Sequence, residues 1–432
     1  MDARESLNGK ESMESRMSYS RAIAIPGYAA GWARTAAVIG PGVVVMLADT
    51  DAGSIITAAQ SGAQWGYRLL LLQFVLVPIL YVVQELTVRL GIVTGKGHGE
   101  LIRDHFGRGW AWISVGTLVL ACIGALFSEL SGLAGVGLLF GVPPSLTMIV
   151  VVCGLTLMAY TGSYLSVERI AMAIGAFELV FLLVAWRAHP QAGAMISGTL
   201  SMPWQEPKYL YLVAANIGAV IMPWMVFYQQ SAVVEKKLTI ADLPGARWDT
   251  ALGAVVTQLI MASVLVAMAA TLGKAGANAT LSTVQQIAGT ITPFLGEETG
   301  KLLFGLGMTG AALVATVVVM LTAARSLGEM LGVKHSLEHT PREAPWFYGF
   351  YTVSLAAAGL IVASGVNLVT LSVGVQVMNA LLLPIVLGFL YLLARRLPAP
   401  YRPRGRYAVV VALTIALTTG IGVYTSLVGV GG

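Results

Sequence analysis

Charged side chains are scarce in this chain. Lys, Arg, Asp and Glu make up 11% of its residues, against about 25% in an average soluble domain. With 56% hydrophobic residues over 432 positions, the chain reads as a polytopic membrane protein. Its net charge of +5 belongs to loops at a membrane surface and does not indicate a nucleic-acid partner. Cysteine is scarcer still. Cys122 and Cys153 both stand inside apolar runs, which excludes a disulfide framework and a Cys-based metal cluster. The five histidines, His98, His105, His189, His335 and His339, all fall between apolar runs, so no imidazole is expected as a proton switch inside the membrane. His335 and His339 have a metal-ligating spacing for a helix, but they sit in a charged loop and read as solvated. HExxH, GxSxG and P-loop motifs are missing. That argues against an enzyme, against ATP-driven transport and against any bound cofactor. The Gly-rich run Thr94-Gly95-Lys96-Gly97-His98-Gly99 joins two apolar segments and reads as a turn. Residues 1–33 hold no apolar secretory core and read as a flexible cytoplasmic tail.

Eleven apolar runs are present, at about 36–60, 68–94, 111–140, 145–162, 167–187, 209–233, 251–273, 302–327, 346–364, 367–393 and 408–428. Each is close to the roughly 20 residues that span a hydrocarbon core as a helix. They are too long and too uniformly apolar for barrel strands, so the expected fold class is all-α. Basic residues set the orientation. With the N-terminus in the cytoplasm, 21 of the 26 Lys and Arg residues fall on the cytoplasmic side. Only Arg68, Arg187, Lys208, Lys274 and Lys301 fall outside, and the C-terminus is then extracellular.

Two runs carry signs of a break. In the first, Ala48-Asp49-Thr50-Asp51-Ala52-Gly53-Ser54 places two carboxylates at mid-span. Each costs roughly 2.5–3.5 kcal/mol to insert, and such residues usually serve a polar interior. Gly53 weakens the helix there. In the sixth, Asn216-Ile217-Gly218-Ala219-Val220-Ile221-Met222-Pro223-Trp224 contains a proline that cannot bond the carbonyl of Ala219. The breaks are five spans apart. Because five is odd, a second five-helix unit enters the membrane inverted relative to the first, and paired interrupted helices point to a transporter site. The eleventh span lies outside this repeat. The expected organisation is a tail at 1–33, a ten-helix inverted-repeat core at 34–397, and the eleventh helix with its basic preceding loop at 398–432.

The ligand candidates follow from these breaks. Asp51 is the principal carboxylate. Asp49 would point about 200° away in an intact helix, so it joins the same site only if the helix unwinds or water intervenes. Ser54 offers a hydroxyl and Ala48 a freed carbonyl, each three residues from Asp51. In the sixth span the Ala219 carbonyl and the Met222 thioether are likewise three apart. Oxygen ligands suit Mg²⁺, Ca²⁺ and Mn²⁺, and a thioether favours softer metals. Glu129 in the third span, and Gln376 with Asn379 in the tenth, are candidates for the pathway or for contacts through water. Glu85, Arg89, Glu168, Arg169 and Glu178 read as structural, lying near cytoplasmic ends or pairing locally.

Several stretches together resemble the Nramp family of divalent-metal transporters. They are Asp51-Ala52-Gly53-Ser54, Gly62-Ala63-Gln64-Trp65-Gly66-Tyr67, Leu90-Gly91-Ile92-Val93-Thr94-Gly95-Lys96 with Glu100-Leu101-Ile102-Arg103, and Gly218-Ala219-Val220-Ile221-Met222-Pro223. The resemblance implies a LeuT-type fold with a metal site between helices 1 and 6. It implies ligands at Asp51, Ser54, Met222 and the carbonyls of Ala48 and Ala219. The chain departs from the family pattern of Asp-Pro-Gly-Asn and Met-Pro-His. Ala52 replaces the Pro, Ser54 the Asn and Trp224 the His, and Asp49 is an added acid. These departures are similar to the branch of Nramp-related magnesium transporters. Mg²⁺ dehydrates reluctantly and keeps several waters beside one or two carboxylates, which fits a shorter Ser54 and an extra Asp49.

The expected function is therefore secondary transport of Mg²⁺, with Mn²⁺ also carried, by alternating access and without obligatory proton coupling. The ion is cargo and the bilayer the chain's other partner. The alternatives are a proton-coupled Mn²⁺ or Fe²⁺ importer and a sodium-coupled organic solute symporter. For the latter, Asp49 and Asp51 would repel a substrate carboxylate.

Overall fold

The computed structural model describes residues 41–161, 173, 175–272, 281–291, 296–334, 339–365 and 368–431. The tail at 1–33, Glu168, Arg169, Lys274 and His335 lie outside the described residues.

All regular structure among the described residues is helical. Continuous apolar sequence leaves the backbone no partner but itself, and a helix bonds every interior group within its own segment. The first apolar run forms α1 (Pro41–Asp49) and α2 (Ala52–Trp65). A single 3-10 turn, Gly66–Leu69, leads into α3 (Leu70–Thr94). Gly95 stops α3 in the left-handed conformation, at φ 64°, with its N–H on the Gly91 carbonyl, a conformation that favours glycine. A short α4 (His98–Phe106) follows, so the Gly-rich run is a turn as expected. Next come α5 (Arg108–Leu139), α6 (Pro144–Thr161), a 3-10 turn at Ala176–Leu179 running into α7 (Val180–Arg187), and α8 (Ala192–Leu200). The sixth run gives α9 (Pro207–Val220) and α10 (Pro223–Glu235). The remainder are α11 (Leu243–Thr271), α12 (Val284–Ile291), α13 (Glu297–Leu331), α14 (Pro345–Ala363), α15 (Leu368–Ala394) and α16 (Gly405–Gly431).

Each of the eleven expected runs contains at least one described helix. By length and apolarity, nine helices among the described residues can cross a membrane, or ten if the pair Ala176–Arg187 and Ala192–Leu200, bent by 104°, is one span. The count falls short of eleven at two places: α1 as described has nine residues while residues 52–94 run through the 3-10 turn as one 43-residue piece, and residues 167–172 and 174 of the fifth run lie outside the described residues. The small helices α4, α8 and α12 were not anticipated.

The two breaks lie at the centre of the bundle. α1 packs against α10, α11 and α13, while α2 packs against α5, α9, α11 and α15. Lipid tails are as apolar as leucine, so close van der Waals packing and polar contacts hold such helices together. Gly218 shows how tightly α9 meets α15. A Cβ there would overlap the Gln376 carbonyl and stand 2.8 Å from the Ala380 nitrogen.

The Lys- and Arg-rich ends are tied by one acidic hub. Glu85 on α3 accepts two bonds from Arg89 Nη2, at 2.6 and 2.7 Å, and one from Arg247 Nε on α11, at 2.8 Å. Tyr407 Oη on α16 also donates to it, at 2.8 Å. The structural role expected for Glu85 and Arg89 is what the fold displays. His98 is a different case. Its ring is fully buried and bonds Gln230 through Nδ1 at 2.9 Å, although it lies between spans.

Candidate functional site

Local chemistry opens both helices. At the first break Asp51 adopts an extended conformation, φ −68° and ψ 171°, and caps α2. Its Oδ1 accepts from the Ser54 N–H at 2.6 Å, as an aspartate N-cap does. Its Oδ2 is buried without a hydrogen-bond partner. In a continuous helix the Ala52 N–H would bond the Ala48 carbonyl. It bonds Glu129 Oε2 instead, at 3.0 Å, so the Ala48 carbonyl is released from its helical donor.

At the second break Met222 sits at φ −96° and ψ 140°, and Pro223 is the first residue of α10. The residue before a proline is pushed into this extended region. Proline also lacks the N–H that would take the Ala219 carbonyl. That carbonyl accepts from Ser54 Oγ at 2.9 Å. The two broken spans therefore meet through two of the predicted ligands.

Every predicted ligand is buried. Ala48, Asp51, Ser54, Ala219 and Met222 are each 0% exposed, and Asp49 is 1%. Asp49 closes α1, and neither of its carboxylate oxygens has a hydrogen-bond partner. The Met222 sulfur is engaged, since Trp224 Nε1 donates to it at 3.2 Å. The four pathway candidates all reach the site or border it. Glu129 bonds the first turn of α2, and Trp224 covers Met222. Gln376 accepts from Asn379 Nδ2 at 2.9 Å, while its own Nε2 is buried and unpartnered. Gln376 and Ser128 close over Gly53, where a Cβ would stand 2.5 Å from Ser128 Oγ.

Among the described residues, no three His, Cys, Asp or Glu side chains converge tightly enough to hold a metal ion by themselves. The oxygen atoms at the two breaks are the Asp51 carboxylate, the Ser54 hydroxyl and the carbonyls of Ala48 and Ala219. Opened helix ends suit a cation, because unwound carbonyls coordinate cations near the midplane.

One buried acid does not match its expected role. Glu178 is fully buried in the 3-10 turn before α7, faces the Thr50 hydroxyl and senses the Asp51 charge. It is not paired locally. That turn packs against α13, and the neighbouring Gly175 lies against Leu47 of α1, a placement near the break that residue spacing along its own helix does not reveal. The one signal in the sequence was an acid in an apolar run with no basic residue within one helical turn.

A family profile described as "Natural resistance-associated macrophage protein-like", the Nramp profile, matches residues 42–428. The chain belongs to the Nramp family. It is thus a membrane transporter and not an enzyme. It is 27% identical over 349 residues to the divalent metal cation transporter MntH of Agrobacterium fabrum, covering 78% of this chain and 73% of that protein. It is 26% identical over 404 residues to MntH of Aeromonas hydrophila, covering 90% and 94%. Among solved structures, the Eremococcus coleocola manganese transporter superposes with a TM-score of 0.74 at 19% identity, over 95% of this chain and 91% of that one. The nucleobase-cation-symport-1 transporter Mhp1 superposes at 0.59 with 16% identity, over 90% of each. These likenesses establish a LeuT-type Nramp fold, two inverted five-helix repeats and an eleventh helix, with helices 1 and 6 broken.

Proposed function

We propose that this Nramp chain moves Mg²⁺, and also Mn²⁺, across the membrane by alternating access without obligatory proton coupling. The observation that carries this reading is the bond from Ser54 Oγ to the Ala219 carbonyl beside the unpartnered Asp51 Oδ2. It joins hard oxygen donors from both breaks, while the one soft donor, the Met222 sulfur, is already taken by an indole N–H. A hard, oxygen-lined site favours Mg²⁺ and Mn²⁺ over thiophilic metals. The proposed ligands are Asp51, Ser54 and the Ala48 and Ala219 carbonyls, with Asp49 acting at longer range and Met222 joining them only when its sulfur is released from Trp224. Gln376, Asn379, Glu129 and Trp224 line the pathway. The cation is cargo, and no cofactor is needed. The Lys and Arg distribution favours a cytoplasmic N-terminus and an extracellular C-terminus. The core at 34–397 carries the transport site, and 398–432 adds the eleventh helix.

Proton-coupled import of Mn²⁺ or Fe²⁺ is the alternative reading; the similar proteins are named only divalent metal cation or manganese transporters, and liposomes carrying pH- and metal-sensitive dyes separate the two. Mg²⁺ uptake without proton influx supports our reading. Metal-driven proton influx, or failure to carry Mg²⁺, overturns it. The site itself is tested by Asp51→Asn. Asparagine is as good an N-cap as aspartate, so the variant should fold while uptake of both ions is abolished. Wild-type uptake in Asp51→Asn would remove Asp51 from the site.

A further inference from the structure

Glu178 is a buried carboxylate that the site described above does not use. Neither of its oxygens has a hydrogen-bond partner, and a carboxylate in that state is costly to bury. The turn that carries it presses directly on α1, since a Cβ at the neighbouring Gly175 would stand 2.9 Å from Leu47 Cδ1. Glu178 faces the Thr50 hydroxyl. That hydroxyl also lies 3.0 Å from the Met46 carbonyl. The Thr50 hydroxyl is thus shared between the Met46 carbonyl and Glu178, which leaves the carboxylate short of donors in a buried setting that also holds a hydroxyl oxygen. The charges that interact with Glu178, Asp51 and Glu129, are both of the wrong sign.

The position relative to the break is also informative. Glu129 bonds the first turn of α2, on the half of the broken helix that leads to the Lys- and Arg-poor face. Glu178 meets the last turn of α1, on the half that leads to the Lys- and Arg-rich face.

We propose that the Glu178 carboxylate and the Thr50 hydroxyl form a second cation station, through which the divalent ion passes between Asp51 and the Lys- and Arg-rich face. This rests on the divalent-cation reading above. The donors are all oxygen and include a single carboxylate, which suits a hard divalent ion that keeps part of its water. A neighbouring station lets a bound ion leave, because passage requires several sites of moderate affinity in place of one deep well. Losing it should slow departure from Asp51 and leave capture unchanged.

The test uses the full-length protein, reconstituted for uptake of Mn²⁺ and Mg²⁺ and solubilised for Mn²⁺ calorimetry. In Glu178→Gln, which keeps shape and hydrogen-bonding capacity, we expect Mn²⁺ affinity within about twofold of wild type and turnover lowered about tenfold or more. Glu178→Asp should recover part of the rate. A glutamate that serves only packing would be replaced by glutamine without change, so wild-type turnover in Glu178→Gln overturns the proposal. Equal losses of affinity and turnover also overturn it, by merging Glu178 with the Asp51 site. If Glu178→Gln does not fold, the near-isosteric Thr50→Val decides by the same readouts. A wild-type protein that carries neither ion overturns the functional reading and this inference together. Wild-type transport with an unimpaired Glu178→Gln overturns this inference alone.

Discussion

Replacing Trp224 by Phe should make the transporter bind soft metals more tightly. The indole N–H donates to the Met222 sulfur at 3.2 Å, and both residues are fully buried. A soft ion that seeks this sulfur must displace that bond. A neutral hydrogen bond contributes about 1 kcal/mol net, and removing it corresponds to roughly fivefold tighter binding. Phenylalanine keeps an aromatic ring in place and lacks the donor. The smaller ring leaves a gap, and a loss of roughly 1–2 kcal/mol of stability is expected, visible as a lower unfolding midpoint in detergent. Calorimetry with Cd²⁺ reads the affinity directly, and competition against Mn²⁺ uptake reads it in transport. Mg²⁺, which does not use thioether ligands, serves as the control and should change by less than about twofold. Unchanged or weaker Cd²⁺ binding by a folded Trp224→Phe protein would refute the argument. So would an equal rise for Mg²⁺, since that would report a widened cavity and not a freed sulfur.

Gly218→Ala should force α9 away from α15, because the new Cβ would overlap the Gln376 carbonyl and lie 2.8 Å from the Ala380 nitrogen. Overpacking of this kind costs roughly 1–3 kcal/mol, and a wild-type thermal midpoint would contradict it. His98 makes stability depend on pH: burial pushes its pKa from 6.5 down to about 4. The unfolded chain binds this proton at the higher value, so the stability it contributes is fully present above pH 6.5. It is lost as pH falls from 6.5 to about 4, at about 1.4 kcal/mol per pH unit. His98→Gln should flatten that part of the unfolding profile, and an unchanged slope would show that other groups set it.

Much of the site was readable in advance because its cause is local. Pro223 has no N–H, so the release of the Ala219 carbonyl needs no knowledge of any other helix. Asp51 ahead of Ala52-Gly53-Ser54 caps a helix by the same short-range chemistry. The five-span separation of the breaks implied that they meet, and the bond between Ser54 and Ala219 is that meeting. Glu178 was misread because its role depends on α1, more than a hundred residues earlier in the chain. Trp224 was known as a departure from the family pattern. Its bond to Met222 is set by ring orientation, which spacing does not reveal. His98 lies between spans, where no buried imidazole is expected from the sequence, yet α4 folds it inward against Gln230.

The sequence by itself determined the helices, their two interruptions, the Lys and Arg asymmetry and the identity of most candidate ligands. A bilayer offers the backbone no partner, so each span must satisfy its own hydrogen bonds, and that is a property of consecutive residues. Only the tertiary structure decided which polar atoms face one another. Glu129 on the Ala52 N–H, Gln376 over Gly53, the indole on the Met222 sulfur and Glu178 beside Thr50 all depend on how closely helices approach and how they are rotated. Those are pairwise packing choices between distant segments. In a membrane they turn on single small residues such as Gly218, whose absent side chain lets one backbone rest against another.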